Sequence, residues 1–276
     1  MLGVSIETEG AASTVAADYY IAALPVEVMT PLLTPELKQA APSLAHLDRL
    51  QTRWMNGIQF YLAKDEPIVH GHVIYLDSPW ALTSISQKQF WTKVDLSQYG
   101  NGSVRGILSV DISDWDAPGV LYGKPATQCT AQEIKEETWA QLKQHLNEDG
   151  VRPIDDANLI AWFLDPDIEF PNPGAAANAE PLMINVAGSL QYRPEAQTAM
   201  ENLFLAGDYV RTYTDLACME SANEAARRAV NCLLITAGAA MPPAQLWPLE
   251  EPPFLKPIQE IDRIRFALGR PHHLML

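Results

Sequence analysis

Between Asn202 and Leu234 the chain reads NLFLAGDYVRTYTDLACMESANEAARRAVNCLL, and no other stretch restricts the fold as much. Leu203 to Ala206 has no polar residue, which suits a strand buried on both faces. Gly207-Asp208 then supplies a turn at its carboxyl end. From Met219 to Leu234 the pattern is that of an alanine-rich helix. Ala217, Ser221, Ala222, Ala225, Ala226 and Ala229 are small enough for it to pack closely on a flat surface or a backbone. A strand end, an Asp and a helix N-terminus in succession present free backbone N–H groups and the positive end of a helix dipole, which favour a polar, partly anionic ligand. The same order also describes a plain strand-turn-helix unit of any α/β protein, so these residues alone leave both readings open.

The 276 residues are 47% apolar and 19% charged, enough for one large domain or two small ones with a real core. Disorder is excluded as the main state. With 34 acidic against 19 basic side chains, the formal net charge is −15. No basic run offers the clustered positive surface that phosphate contacts need, so no nucleic-acid partner is expected. Cys129, Cys218 and Cys232 are too few and too scattered for a disulfide framework or a zinc site, and their bland reading is as small buried hydrophobes in a reducing, cytoplasmic setting. MLGVSIETEGAAS carries neither a basic nor an apolar signal region. No apolar run reaches the ~18 to 20 residues of a membrane span.

Along the chain, Gly3 to Glu9 and Val15 to Leu24 read as two strands joined at Gly10. Within the second, ADYYIAALP ends at Pro25 as a buried strand would. Pro31 and Pro35 divide Val26 to Gln39 into two short helical turns. Ile58 to Ile112 has β texture: Ile58, Phe60 and Leu62 alternate, Ile68 to Leu76 is β-branched, and Gly102 to Ile112 alternates again. The aromatics Trp54, Phe60, Tyr61, Tyr75, Trp80, Phe90 and Trp91 suit either an apolar pocket or ordinary core packing. Thr130 to Asn147 is the clearest helix, with a Thr130/Glu133 capping box and Asp149-Gly150 as its stop. Pro166 to Pro181 reads as a loop, Leu182 to Val186 as a strand, Pro242 to Pro257 as irregular, and Ile258 to Leu268 as a last short helix.

Two motifs invite a functional reading and lose it. GNGSVRG at Gly100 to Gly106 lacks the following helix that a phosphate-binding glycine loop requires and is expected to be a hairpin turn. His70 and His72, two apart on an expected strand, share a face that would suit a metal with Asp77 as a third ligand. No further His or Cys cluster supports this, so packing or surface roles are preferred and no metal is expected.

At Leu203 to Tyr209 (LFLAGDY) and Met219 to Ala222 (MESA) the sequence resembles the C-terminal flavin-binding motif of the flavin-dependent amine oxidase and phytoene desaturase superfamily, most of all plant-type and cyanobacterial carotenoid desaturases and squalene-pathway flavoenzymes. Tyr192-Arg193-Pro194, Thr198 and Asn202 resemble the run into that motif, and ADYYIAALP resembles the strand that joins substrate and cofactor domains. The likeness covers about residues 10 to 235. It implies an α+β (α/β) fold: a partial FAD/NAD(P)-binding Rossmann-type domain lacking its N-terminal βαβ unit, plus a substrate domain with a mixed or antiparallel sheet and helices. Expected boundaries are 1–30 for returning strands of the cofactor domain, 31–185 for the substrate domain, 186–240 for the closing FAD element and 241–276 for a proline-rich tail.

By the same resemblance, Gly207, Asp208, Met219, Glu220, Ser221 and Ala222 bind FAD. Asp208 would bond the ribityl or pyrophosphate region, and the helix opening at Met219 would face the pyrimidine edge of the ring. Ser221 stands where the family has glycine and adds a hydroxymethyl group near the ring. The family's GxGxxG is absent from the 276 residues. The resemblance therefore implies the C-terminal half of an FAD-dependent desaturase or dehydrogenase acting on a long apolar isoprenoid by hydride transfer. It would work with a companion polypeptide carrying the Rossmann half, with peripheral membrane contact. A truncated form, a non-catalytic lipid-binding or assembly module and an amine oxidase-like flavoenzyme are the alternatives. No catalytic residue is named.

Overall fold

Leu203–Ala206 forms a fully buried strand, and it lies parallel to Tyr20–Ala23 with Leu203 opposite Tyr20 and Ala206 opposite Ala23. In the computed structural model, which describes residues 1–147, 150, 152–172, 174–250 and 252–272, this pair belongs to one of two compact units, Met1–Gln51 with Met183–Leu276; the other is Thr52–Leu182. The protein is thus a mixed α and β structure that includes antiparallel sheet.

In the first unit the Met219–Thr236 helix lies on the Leu203–Ala206 strand. Ala225 and Ala229, one turn apart and fully buried, give the close approach that their size allows. Phe204, Tyr209, Met29, Leu44 and Leu47 complete the core. Residues 31–51, placed above with the substrate domain, cluster here because Leu44, Leu47 and Leu50 pack into this core. The helical stretch after Pro25 is broken by its prolines, as expected, into Val26–Met29, a 3-10 turn Thr30–Leu32, and Pro35–Ala40. The N-terminal segment is a hairpin of Val4–Thr8 and Ala11–Val15, with Glu9 and Gly10 at positive φ in its turn. The single strand expected from Val15 to Leu24 is instead two. The chain breaks after Val15, where the Ala17 N–H donates to the Tyr20 hydroxyl at 2.8 Å, and resumes at Tyr20.

The second unit holds a five-stranded antiparallel sheet in the order His72–Ile74, Thr83–Ser86, Gly106–Ile112, Asn56–Leu62, Leu159–Leu164. The alternation Ile58, Phe60, Leu62 puts those side chains in a core shared with Ile134, Trp139 and Leu142 of the Ala131–Leu146 helix. Phe60 and Trp139 have ring centroids 4.8 Å apart. The Thr130/Glu133 capping box starts that helix as expected. Of its expected stop signal, Asp149 lies outside the described residues.

Several expectations need correction. His70 precedes the short strand His72–Ile74, from which Gly71 at φ 140° separates it, so the two histidines do not share a strand face. His70 instead packs against Phe90, with centroids 4.8 Å apart and the ring planes tilted by 51°. Among the described residues no cluster of three His, Cys, Asp or Glu side chains is placed to hold a metal. GNGSVRG is no hairpin turn: it links a 3-10 turn, Leu96–Gln98, to the Gly106–Ile112 strand. Pro166 to Pro181 contains a hairpin, Ile168–Asn172 with Ala175–Asn178, because Pro171 sits on a two-stranded ribbon whose outer edge needs no N–H donor. The strand expected at Leu182 to Val186 stops at Ile184. Residues 242–250 are irregular, and the last helix spans Lys256–Ala267. Among the described residues no helix is long and apolar enough to cross a membrane.

Candidate functional site

Gly207 ends the buried strand at φ 131°, and a Cβ there would lie 2.9 Å from the Leu24 carbonyl oxygen, so only glycine lets the two strand ends approach. The chain then enters a loop, 208–218, that leads to the helix at Met219. Arg193, 2% exposed, holds that loop from below. Its Nη2 donates to the carbonyl oxygens of Asp208 at 2.5 Å and Val210 at 2.8 Å, its Nε to that of Tyr209 at 3.2 Å, and its Nη1 to Asp215 Oδ1 at 2.6 Å. Asp215 itself sits at φ 47°, a conformation that non-glycine residues keep only where their surroundings fix it.

The helix holds the same loop from its other end. Glu224, on the inner face, accepts from the Tyr213 N–H at 2.8 Å and the Thr214 N–H at 3.3 Å, and pairs with Arg228 one turn on at 2.7 Å. Burial pushes its carboxyl pKa up, but the Tyr213 N–H, Arg228 and the Thr214 N–H outweigh that and hold it below the usual value. Ser221 is fully buried and its Oγ lies 2.7 Å from Thr212 Oγ1, which also accepts from the Asp215 N–H at 3.2 Å. The extra hydroxymethyl group at Ser221 therefore ties the loop to the helix from inside.

Of the six residues expected at the site, Gly207 and Asp208 lie at the strand end, and Met219, Glu220, Ser221 and Ala222 form the first turn of the helix. Met219 and Glu220 are exposed and Ala222 half-buried. Cys218, at the N-cap, makes no side-chain capping bond, and the first intrahelical bond is Ala222 N–H to the Cys218 carbonyl. The first-turn N–H groups thus have no partner within the helix. Asp208 is half-buried, and burial raises its carboxyl pKa above the ordinary value although Arg193 pulls the other way. In the sequence neither Thr212 nor Glu224 stands out as an organiser of this loop, and Arg193 stands out only as part of the run that resembles the family's approach to the motif. The Glu224/Arg228 spacing, a favourable i,i+4 pair, was the one local signal of their part.

The second unit holds a cavity of about 640 Å³ on the sheet face turned away from the Ala131–Leu146 helix. Tyr61, Trp91, Leu96, Tyr99, Ile107 and Ile160 are among its lining residues, and none of the lining residues is charged. Of the aromatics singled out in the sequence, Tyr61 and Trp91 line it, whereas Phe60, Tyr75 and Trp80 are core residues.

A glycine that a Cβ would displace, a half-buried carboxylate beside it and an uncapped helix N-terminus fit a flavin: close approach, a hydroxyl acceptor and N–H donors for a carbonyl edge. The sequence model of the flavin containing amine oxidoreductase family matches residues 3–234. The chain belongs to that family, and membership implies a flavin cofactor. No curated protein matches the chain. Among solved structures it is similar to an oxidoreductase from Methanosarcina mazei, at 16% identity over 80% of this chain and 46% of that one, with a TM-score of 0.41. The chain spans less than half the length of that protein.

Proposed function

We propose that this chain is the substrate-binding and flavin-contacting portion of an FAD-dependent desaturase or dehydrogenase that acts on a long isoprenoid. The observation that carries the substrate class is the uncharged, largely apolar cavity bounded by Tyr61, Trp91 and Ile107. A polar amine would be expected to meet a carboxylate there, and none lines it. When bound, the flavin supplies a hydride acceptor for a saturated substrate carbon. In this reading Gly207 lets the cofactor approach the strand end, and Asp208 orients it by accepting a hydroxyl hydrogen bond. The N–H groups of Met219, Glu220 and Ser221 direct positive potential at the place where negative charge develops. The cavity aligns the apolar substrate and keeps water from it.

The 276 residues contain no GxGxxG, so this reading assigns the pyrophosphate-binding unit to residues other than these, whether on the same polypeptide or on a companion. The test is to purify the chain alone and co-expressed with the neighbouring reading frame, each with and without FAD, and to record visible spectra and extractable apolar ligand. A flavin band in the co-expressed sample, with a bound polyene lost in Ile107→Asp, is the expected result. Absence of flavin from every sample, with an apolar ligand retained, would replace the enzyme with a lipid-binding module of the same ancestry.

A further inference from the structure

The sheet face that carries the apolar cavity changes character one rung beyond it. Tyr61 and Ile107, which line the cavity, lie opposite each other on neighbouring strands. Two residues along each strand, and so about 7 Å away on the same face, Gln59 lies opposite Ser109. Both are half-buried, whereas the residues that alternate with them, Ile58, Phe60, Leu108 and Val110, fill the core behind the sheet. A further rung on, Asp111 lies over Gly57, where a Cβ would come 3.4 Å from the carboxylate Oδ1. Along one face the order is therefore apolar, neutral polar, acidic.

The hydrogen bonds of the middle rung decide what it can hold. The Tyr61 hydroxyl donates to Gln59 Oε1 at 3.0 Å, and Gln87 Nε2 donates to Ser109 Oγ at 3.2 Å. Those bonds occupy acceptors and leave donors: Gln59 Nε2 and the Ser109 O–H have no partner among the described residues. A ligand end at this rung has to accept. An ammonium has no acceptor to offer, and a hydrocarbon end would cover the donors without pairing them. A carboxylate accepts, but it would face Asp111 on the next rung, in a chain whose net charge is −15. An uncharged hydroxyl or carbonyl oxygen satisfies every condition. Resting on the reading of this cavity as the substrate site, we infer that its occupant is an elongated apolar molecule ending in an uncharged oxygen, not a plain hydrocarbon. The body lies on Tyr61, Trp91 and Ile107, and the oxygen accepts from Gln59 and Ser109.

The experiment measures binding of farnesol, farnesene, farnesylamine and farnesoic acid, which share a skeleton and differ at one end, to the purified full chain by equilibrium partition and gas chromatography. Farnesol should bind about tenfold more tightly than the other three, the scale of two neutral hydrogen bonds. Gln59→Leu with Ser109→Ala should bring farnesol down to the level of farnesene and leave farnesene no weaker, whereas Trp91→Ala should weaken all four alike. Gln59→Glu replaces the donors with acceptors and should move the preference to farnesylamine, a reversal that loss of structure cannot produce. Farnesene binding wild type as tightly as farnesol, or the double variant weakening both equally, would overturn the inference while leaving an apolar cavity in place. Farnesylamine or farnesoic acid binding wild type best would overturn it in favour of a charged end. Failure of all four to bind would remove the cavity reading itself, and the inference with it.

Discussion

Replacing Arg193 with Met keeps an unbranched side chain in a buried slot and removes every hydrogen bond the guanidinium makes to the 208–215 loop. Three carbonyl oxygens, of Asp208, Tyr209 and Val210, lose their donor, and Asp215 loses an ion-pair partner at 2.6 Å. Asp215, 40% exposed at its side chain, can turn to water, so its share is small. A buried acceptor left without a donor costs about 1–3 kcal/mol. Partial relaxation of the loop then gives a net loss of about 3–5 kcal/mol, the scale seen when one member of a buried charged pair is removed. Six of the seven tryptophans lie in the Thr52–Leu182 unit, so bulk fluorescence is the wrong probe. Hydrogen exchange by peptide is the right one. Amides of residues 203–218 should exchange roughly 150-fold faster for about 3 kcal/mol lost, while those of Asn56–Leu62 and Gly106–Ile112 keep wild-type protection. A change in 203–218 worth less than about 1 kcal/mol, or an equal change in both units, would refute the assignment of Arg193 as the local clamp.

Gly207→Ala should destabilise the first unit by about 1–3 kcal/mol in urea titration, because the new Cβ meets the Leu24 carbonyl at 2.9 Å with φ at 131°. Glu137→Gln should free the loop whose Val120, Leu121 and Tyr122 N–H groups the buried carboxylate accepts at 2.6, 2.8 and 3.0 Å, at a cost of about 1–3 kcal/mol and with new chymotryptic cleavage at Tyr122. Burial raises the Asp208 carboxyl above 3.8, so the folded chain keeps a proton that the unfolded chain has lost, and stability falls as pH rises from the unfolded to the folded value. Asp208→Asn should therefore raise the melting temperature of the ligand-free chain above that window, with no gain below it, while lowering flavin retention.

Local signals survived folding, and long-range ones were illegible. Thr130 and Glu133 are three residues apart, so the capping box could be read directly, as could Leu203 to Ala206, whose apolar run has few alternatives to a buried strand. Arg193 stands out in the sequence only through the Tyr192-Arg193-Pro194 resemblance, and its grip is not legible there, because the carbonyls it holds come 15 to 17 positions later and nothing in their identity marks them as acceptors. The Ile168–Asn178 hairpin was hidden by prolines, which rule out an interior strand but not one on a two-stranded ribbon. The two histidines failed for a different reason: a period-two argument needs an unbroken strand, and Gly71 breaks it.

The loop at the candidate site is gripped twice, and whether the two grips act as one can be measured. Arg193 holds 208–210 and Asp215, Glu224 holds 213–214, and Thr212 links the two through Ser221 and the Asp215 N–H. Their pH responses differ in sign of charge: the Glu224 carboxyl lies below 4.5 in the folded chain, so its contribution is complete above 4.5 and is lost as pH falls through the lowered value. If 208–215 moves as one body, breaking either grip already releases much of what the other holds. The combined loss in Arg193→Met with Glu224→Gln should then fall short of the sum by about 0.5–3 kcal/mol in a double-mutant cycle near neutral pH. That shortfall should shrink in acid, where Glu224 is protonated in both backgrounds. Losses that add within about 0.5 kcal/mol at neutral pH would mean that the two halves of the loop open separately, and that a ligand at Asp208 gains nothing in rigidity from the helix.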